Sequence, residues 1–172
     1  PDGVSYTQVQ DRSLVDMLLA GEIDCMISAH PPHEFETGNP AITRLIPNFR
    51  EVEEAYFMET GIYPIMHTVV IRKEVYEANK WIAQSLYKAF LASKDWAVEQ
   101  MYFSGAQKYM LPWLFDDLRE IDEVFGGDPW PYGIDENRPT LEAFVKYMHQ
   151  QYFIPEVVGI DDLFAPTHGR LD

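Results

Sequence analysis

The chain has 172 residues, of which 47% are hydrophobic and 14% aromatic, a composition that fits one ordinary globular domain with a core of its own. Its 28 acidic and 13 basic residues give a formal net charge of −15, which disfavours nucleic acid and anionic lipid because both need clustered Lys and Arg. No apolar run approaches the roughly 20 residues of a membrane span, so we predict neither nucleic-acid binding nor membrane insertion. A small anion remains an acceptable ligand, since screening over about 8 Å lets a few local arginines outweigh distant carboxylates.

Cysteine usage and the N-terminus bear on the compartment. The single cysteine, Cys25, excludes an internal disulfide and suits a reducing compartment. The sequence opens with Pro-Asp-Gly and shows no signal peptide. We therefore expect a cytoplasmic protein, or a periplasmic one if a signal peptide lies upstream.

The first third of the chain alternates helical and extended patterns. Asp11 can cap a helix that Gly21 can end. Residues 23–29 are short and apolar, which predicts a buried strand. Residues 30–47 carry four prolines and little periodicity, which predicts a loop or crossover, and residues 49–60 predict an acidic helix.

The remainder holds one more strand pattern and then helical patterns. Residues 63–72 alternate between two faces, which predicts a strand. Residues 81–103 have apolar side chains at helical spacing, and a further helix is predicted to end at Phe125 before two glycines. Residues 128–137 predict an ordered aromatic loop, after which Pro139 opens an amphipathic helix.

The order helix, strand, crossover, strand and helices predicts an α/β protein. Two strands are few for such a fold, because a two-stranded sheet has exposed edges and little stability of its own. We therefore interpret the chain as a fragment, or as one whose missing strands come from a second copy, so that a homo-oligomer is a further expectation.

Five segments carry a family resemblance. Residues 14–32 (LVDMLLAGEIDCMISAHPP) resemble the second-lobe helix and strand of type II periplasmic-binding-protein folds. Four more segments are similar to the 4,5-dihydroxyphthalate decarboxylase family: RLIPNFREVEEAYFMETGIYPIMHTVVIR (44–72), WIAQSLYKAF (81–90), LPWL (111–114) and DPWPYGIDENRPTLEAF (128–144).

This resemblance implies a periplasmic-binding-protein type II-like fold with three-layer αβα lobes, of which the chain is the C-terminal half. Residues 1–30 would complete the second lobe, residues 31–62 would form the crossover, and residues 63–172 would return to the first lobe and add the C-terminal helices. The resemblance further implies non-oxidative decarboxylation of a small aromatic dicarboxylate in the inter-lobe cleft, giving protocatechuate. No cofactor is predicted, and the sequence leaves a divalent metal open.

Two other functions fit the same sequence. One is a solute-binding protein of an ABC-type transporter, which would capture a small organic anion without reaction. The other is a module with only a structural role.

Decarboxylation of such a ring needs a proton donor, a task that suits histidine because its pKa lies near neutrality. His67 is our candidate for the catalytic residue, since it shares one face of the predicted strand with apolar residues. The alternative is a core histidine that bonds to the backbone.

Four residues are candidates for substrate binding. Arg44, after the crossover loop, and Arg72, at the end of the second strand, could bind a carboxylate through paired hydrogen bonds. His30 follows the first strand, and Tyr56 could donate to a substrate oxygen. The alternatives are surface ion pairs for the arginines and core packing for Tyr56.

Other groupings favour structural roles. His30 and His33 have no second ligand cluster, so no metal site is predicted. Trp113, Trp130 and Tyr132 could line a flat substrate or form a satellite core under the loop.

Overall fold

The computed structural model describes residues 3–167, which contain eight helices and no strand. The helices are α1 (Leu14–Leu19), α2 (His33–Glu36), α3 (Phe49–Thr60), α4 (Lys73–Ala78), α5 (Trp81–Tyr102), α6 (Leu114–Phe125), α7 (Arg138–Gln150) and α8 (Ile160–Leu163). No helix in this described part of the chain is long and apolar enough to cross a membrane.

The predicted α/β fold, with its three-layer αβα lobes, is wrong, because the described residues form helices and no strand. A strand exists only where its main chain pairs with another strand, and neither residues 23–29 nor residues 63–72 find such a partner within residues 3–167. The apolar pattern of residues 23–29 predicts burial, and that of residues 63–72 predicts a strand with two alternating faces. Ile27 is instead 95% exposed and Val70 is 90% exposed.

Helix ends follow local signals. Ser13, rather than the predicted Asp11, caps α1 through a capping box, in which its hydroxyl accepts from the Asp16 amide and its own amide donates to the Asp16 carboxylate. Gly126 ends α6 in the left-handed conformation, with φ of 68°, which glycine adopts without a steric penalty. The predicted helices at 49–60 and 81–103 and the helix end at Phe125 are confirmed within one residue.

The described residues form two units, one ending at Glu53 and the other beginning at Glu54. In the first unit the buried hydrophobic residue is Ile42. The three-part division at residues 30 and 62 stays a prediction.

The core of the second unit lies between helices. Helix α5 packs against α4 and α6, and α7 packs against α8. The buried hydrophobic residues of this unit are Ala83, Leu114, Leu118, Val145 and Ile160.

An aromatic cluster joins three parts of the second unit. Phe57 on α3 lies 4.6 Å from Phe125 at the end of α6, measured between ring centroids. Tyr63 meets Phe125 edge-to-face at 5.2 Å and Trp130 at 6.3 Å, geometries that aromatic pairs prefer. The Tyr63 amide also donates to the hydroxyl of Thr140 on α7. These contacts fix the start of the segment that follows Gly61.

The first prediction concerns the core. Leu118→Ala should lower the free energy of unfolding by about 2–4 kcal/mol, because this side chain is only 5% exposed and its loss leaves a cavity beside α5. Leu163→Ala, at a leucine 53% exposed in the same unit, is the matched control and should cost about 1 kcal/mol or less. Urea unfolding followed by circular dichroism measures both, and equal losses would contradict the assigned core.

The second prediction concerns pH. The Tyr102 hydroxyl donates to Asp122 over 2.6 Å, and this hydrogen bond, followed by partial burial and the carboxylate charge, raises the pKa of Tyr102. A pKa raised by folding stabilises the protein below the ordinary tyrosine pKa near 10, and this contribution disappears as the pH rises through the folded-state pKa.

Tyr102→Phe should therefore lower the unfolding free energy by about 0.5–1 kcal/mol at pH 8, a small value because the pair is exposed. The difference from the unmodified chain should shrink above pH of about 10. Tyr109→Phe serves as the control. A difference that stays constant between pH 8 and 11 would argue against this hydrogen bond.

Candidate functional site

Arg44 lies in a loop whose turn is held by the main chain. After α2, Gly38 takes a φ of 80°, and the Asn39 amide donates to the Glu34 carbonyl over 2.8 Å. The Thr37 hydroxyl donates to the His33 carbonyl over 2.9 Å. This turn precedes the buried Ile42, and Arg44, two residues further along, contacts Phe35 of α2.

The Arg44 guanidinium lies against two aromatic rings. Its central carbon is 4.3 Å from the ring centroid of Phe49, the first residue of α3, and 5.4 Å from that of Phe35 on α2. Both distances fall within the range of cation–π attraction. Arg44 is exposed, and no carboxylate among residues 3–167 pairs with it. Its N–H groups are therefore available to an anion from solution.

Other arginines are engaged by carboxylates. Arg12 donates two hydrogen bonds to Glu22, at 2.5 and 2.6 Å, which lower the pKa of Glu22. Arg138 donates to Asp161 over 2.8 Å and lowers the pKa of that residue in the same way. Arg138 thus binds α8 to the start of α7. Such paired arginines have fewer donors left for a ligand.

His30 occupies the first unit as well, on a loop rather than at a strand end. The Ser28 hydroxyl donates to the His30 carbonyl over 2.7 Å, which orders the main chain here. The imidazole is exposed. His30 and Arg44 are therefore the predicted site residues of the first unit.

His67 lies in segment 61–72 of the second unit, which connects α3 to α4 and is neither helix nor strand. The residue is exposed, and no hydrogen bond to its ring is present in the described part of the chain. The alternative of a buried histidine bonded to the backbone therefore does not describe this conformation. The segment ends at Arg72, an exposed residue at the N-terminus of α4.

Tyr56 is about half exposed on α3, so core packing, the alternative to substrate binding, describes this side chain only in part. Its carbonyl accepts a hydrogen bond of 2.6 Å from the Thr60 hydroxyl in the last turn. Within the second unit, no described hydrogen bond or ion pair joins Tyr56 to His67 or Arg72. The catalytic and binding roles of the five residues stay predictions.

Within 3–167 no three His, Cys, Asp or Glu side chains lie close enough together to hold a metal ion. A shallow surface depression of about 340 Å³ lies beyond the end of α7 and is lined by His149, Gln150, Tyr152, Ile154 and Pro155. None of the predicted site residues lines this depression.

Lys94 on α5 anchors the aromatic loop, and sequence reasoning missed it. Its ammonium binds the Asp128 carboxylate at 2.5 Å, donates to the Trp130 carbonyl over 3.1 Å and lies 4.8 Å from the ring centroid of Tyr132. The Lys94 side chain is only 14% exposed. The signal in the sequence was a lysine within the apolar spacing of the longest helix.

Further hydrogen bonds order the same loop. The Tyr87 hydroxyl donates to the Tyr132 carbonyl over 3.1 Å. The Asn137 side chain donates to the carbonyls of Pro131 and Gly133, at 2.7 and 2.9 Å. The predicted ordered loop is confirmed. Trp130 contacts Tyr63 of the aromatic cluster yet is 58% exposed, so the satellite core and the substrate wall both stay predictions.

Comparison with known proteins confirms the resemblance. The chain is 30% identical over 168 residues to the protein named 4,5-dihydroxyphthalate decarboxylase of Comamonas testosteroni. The aligned region covers 97% of this chain and 51% of that protein, so the chain spans about half the length of this relative. That extent is consistent with a match to its C-terminal half. No family model matches the chain.

The third prediction tests the loop anchor. Lys94→Met should release the loop of residues 128–137, because Asp128 and the Trp130 carbonyl lose their cation while the helix keeps an apolar side chain. Amide hydrogen exchange of the loop should accelerate at least about tenfold, whereas Lys88→Met on the same helix should leave it unchanged. Equal exchange in the two variants would refute the anchoring role.

Proposed function

We propose that the chain is part of a decarboxylase-like protein that removes one carboxylate from a small aromatic dicarboxylate without oxidation. The similarity to the Comamonas testosteroni protein carries this proposal, because it extends over nearly the whole chain. The net charge of −15 adds a condition. A chain this acidic needs specific basic groups to bind a dianion.

The chemistry assigns three tasks. The bond between the ring and the departing carboxylate breaks, carbon dioxide leaves, and the electron pair stays on the ring carbon, which then takes a proton. A cation must hold the spared carboxylate so that only one group leaves. A further donor must hold the ring hydroxyls.

We assign the proton transfer to His67. Its imidazole is exposed and free of described hydrogen bonds, so both ring nitrogens are open to a substrate. Histidine carries a transferable proton near neutral pH without unusual tuning. This assignment depends on the chemistry of the side chain and on its place in the matched segment.

Arg44 is proposed to bind the spared carboxylate, with Arg72 as a second cation. The exposed and unpaired guanidinium of Arg44 supports this role, since a carboxylate would not have to displace an internal partner. His30 and Tyr56 are proposed to donate to substrate oxygens. The substrate we propose is 4,5-dihydroxyphthalate or a close analogue.

The solute-binding alternative drew its support from the α/β fold, which the helical architecture overturns. Anion capture without reaction therefore remains only as an outcome of the assay below. Stoichiometric binding of 4,5-dihydroxyphthalate without release of carbon dioxide would indicate it.

The fourth prediction tests catalysis in the whole natural protein that carries this chain. The protein should release carbon dioxide from carboxyl-labelled 4,5-dihydroxyphthalate, and His67→Asn should cut kcat at least about a hundredfold, because general acid catalysis by a side chain contributes 10²–10⁴-fold. Carbon dioxide capture together with chromatography of the catechol product measures both.

His149→Asn is the matched control, since His149 lies on α7 and its Nδ1 faces the Ile154 carbonyl at 3.3 Å. This variant should keep turnover within about threefold. Full activity of His67→Asn would remove His67 from the mechanism. Absence of turnover in the unmodified protein would remove the proposed reaction itself.

A further inference from the structure

We infer that Phe35 and Phe49 are positioning residues that hold Arg44 as a receptor for a carboxylate attached to a flat ring. This inference rests on the proposed function for its substrate class, and it assigns a role to two residues that carry none of the chemistry. We call Phe35, Arg44 and Phe49 together the aromatic clamp.

The geometry determines which part of the guanidinium a ligand can reach. A guanidinium is planar and attracts aromatic rings through its face, whereas its five N–H groups point outward in its plane. The Arg44 Cζ lies over the ring of Phe49, at 4.3 Å, and over the ring of Phe35, at 5.4 Å, each measured to the ring centroid. No carboxylate among residues 3–167 pairs with Arg44, so its in-plane N–H groups, the donor edge, can bind two carboxylate oxygens of a ligand.

The clamp belongs to an ordered piece of backbone. Phe35 lies on α2 and Phe49 begins α3, while the turn through Gly38 and Asn39 brings the chain back between them. A side chain held before the ligand arrives loses less freedom when the ligand binds. Arg72, also exposed and unpaired among the described residues, has no aromatic ring against it, so it provides an internal comparison.

Neighbouring charges do not occupy the donor edge. Glu34 and Glu36 flank Phe35 in sequence, yet neither forms an ion pair with Arg44 in the described structure. The surface beside the guanidinium is instead the partly exposed ring of Phe49. An aromatic acid can place its ring edge against this surface while its carboxylate meets the guanidinium. A compact aliphatic diacid gains only the second contact.

The fifth prediction tests the clamp on the 172-residue chain with phthalate as the probe. The Arg44 Nε–Hε resonance, observed in ¹⁵N-labelled protein, should shift saturably with phthalate and bind it about threefold to tenfold more tightly than maleate, which has the same paired carboxylates without a ring. The Arg72 resonance should respond to both acids equally and more weakly.

Variants separate positioning from charge. Phe49→Leu should weaken phthalate binding at Arg44 about threefold to fivefold, and Phe49→Tyr should restore it, because tyrosine keeps the aromatic face. Arg44→Lys should lose the preference for phthalate over maleate, since an ammonium lacks the planar donor edge. An Arg44 resonance that ignores phthalate, or an unchanged affinity in Phe49→Leu, would overturn the inference.

The whole natural protein distinguishes the two proposals. There, Phe49→Leu should raise KM for 4,5-dihydroxyphthalate severalfold and change kcat by less than about twofold, because a binding contact to the spared carboxylate acts before the chemical step. Phthalate binding at Arg44 without any release of carbon dioxide would leave the clamp standing and remove the decarboxylase. Turnover with an unchanged KM in Phe49→Leu would overturn the clamp and leave the decarboxylase proposal standing.

Discussion

Scarcity of buried apolar surface is the constraint on which the rest of this structure depends. Fewer than ten hydrophobic side chains of the described residues are buried. Apart from Ile42 in the first unit, those residues lie on α5, α6, α7 and α8, so the hydrophobic effect acts mainly on these helices.

Polar contacts join segments that few buried apolar side chains connect. Lys94 binds the aromatic loop to α5, Arg138 binds α7 to α8, and Arg12 joins the two ends of the α1 region. Exposed ion pairs of this kind contribute little each, so they select a conformation more than they stabilise it. Lys94 differs because its ammonium is largely removed from solvent and has three partners. The candidate residues consequently occupy loops and connecting segments that are ordered at a few points.

The sequence predicted those features whose causes are local. The bounds of α3, the length of α5 and the stop at Gly126 follow from spacing and glycine positions within a few residues of each helix end. The predicted strands are wrong because strand pairing depends on two segments that can be distant in sequence. An alternating pattern in one segment indicates which side chains would share a face, but not whether a partner strand exists. Residues 63–72 lack that partner and belong to neither a helix nor a strand.

In the candidate site, too, the sequence predicts local features but not contacts between distant residues. The residue types follow from the chemistry that the family resemblance implies, since histidine suits proton transfer and arginine suits carboxylate binding. The surroundings of Arg44 were not predicted. Phe35 lies nine residues before Arg44 in sequence and contacts it only because of the turn at Gly38. Lys94 escaped notice for a related reason. A lysine within a helix is usually solvated, and its partners here come from a loop more than thirty residues further along.

The segment that carries His67 has a consequence for how the protein can be handled. Ile65 to Ile71 contains two adjacent valines, no proline and no acidic or lysine side chain, and most of it is open to water. Low charge and strong β-propensity in an exposed stretch are the features that let one polypeptide template another into insoluble fibrils. Purification at low protein concentration, or a solubilising fusion, is therefore the physically sensible condition for preparing this chain.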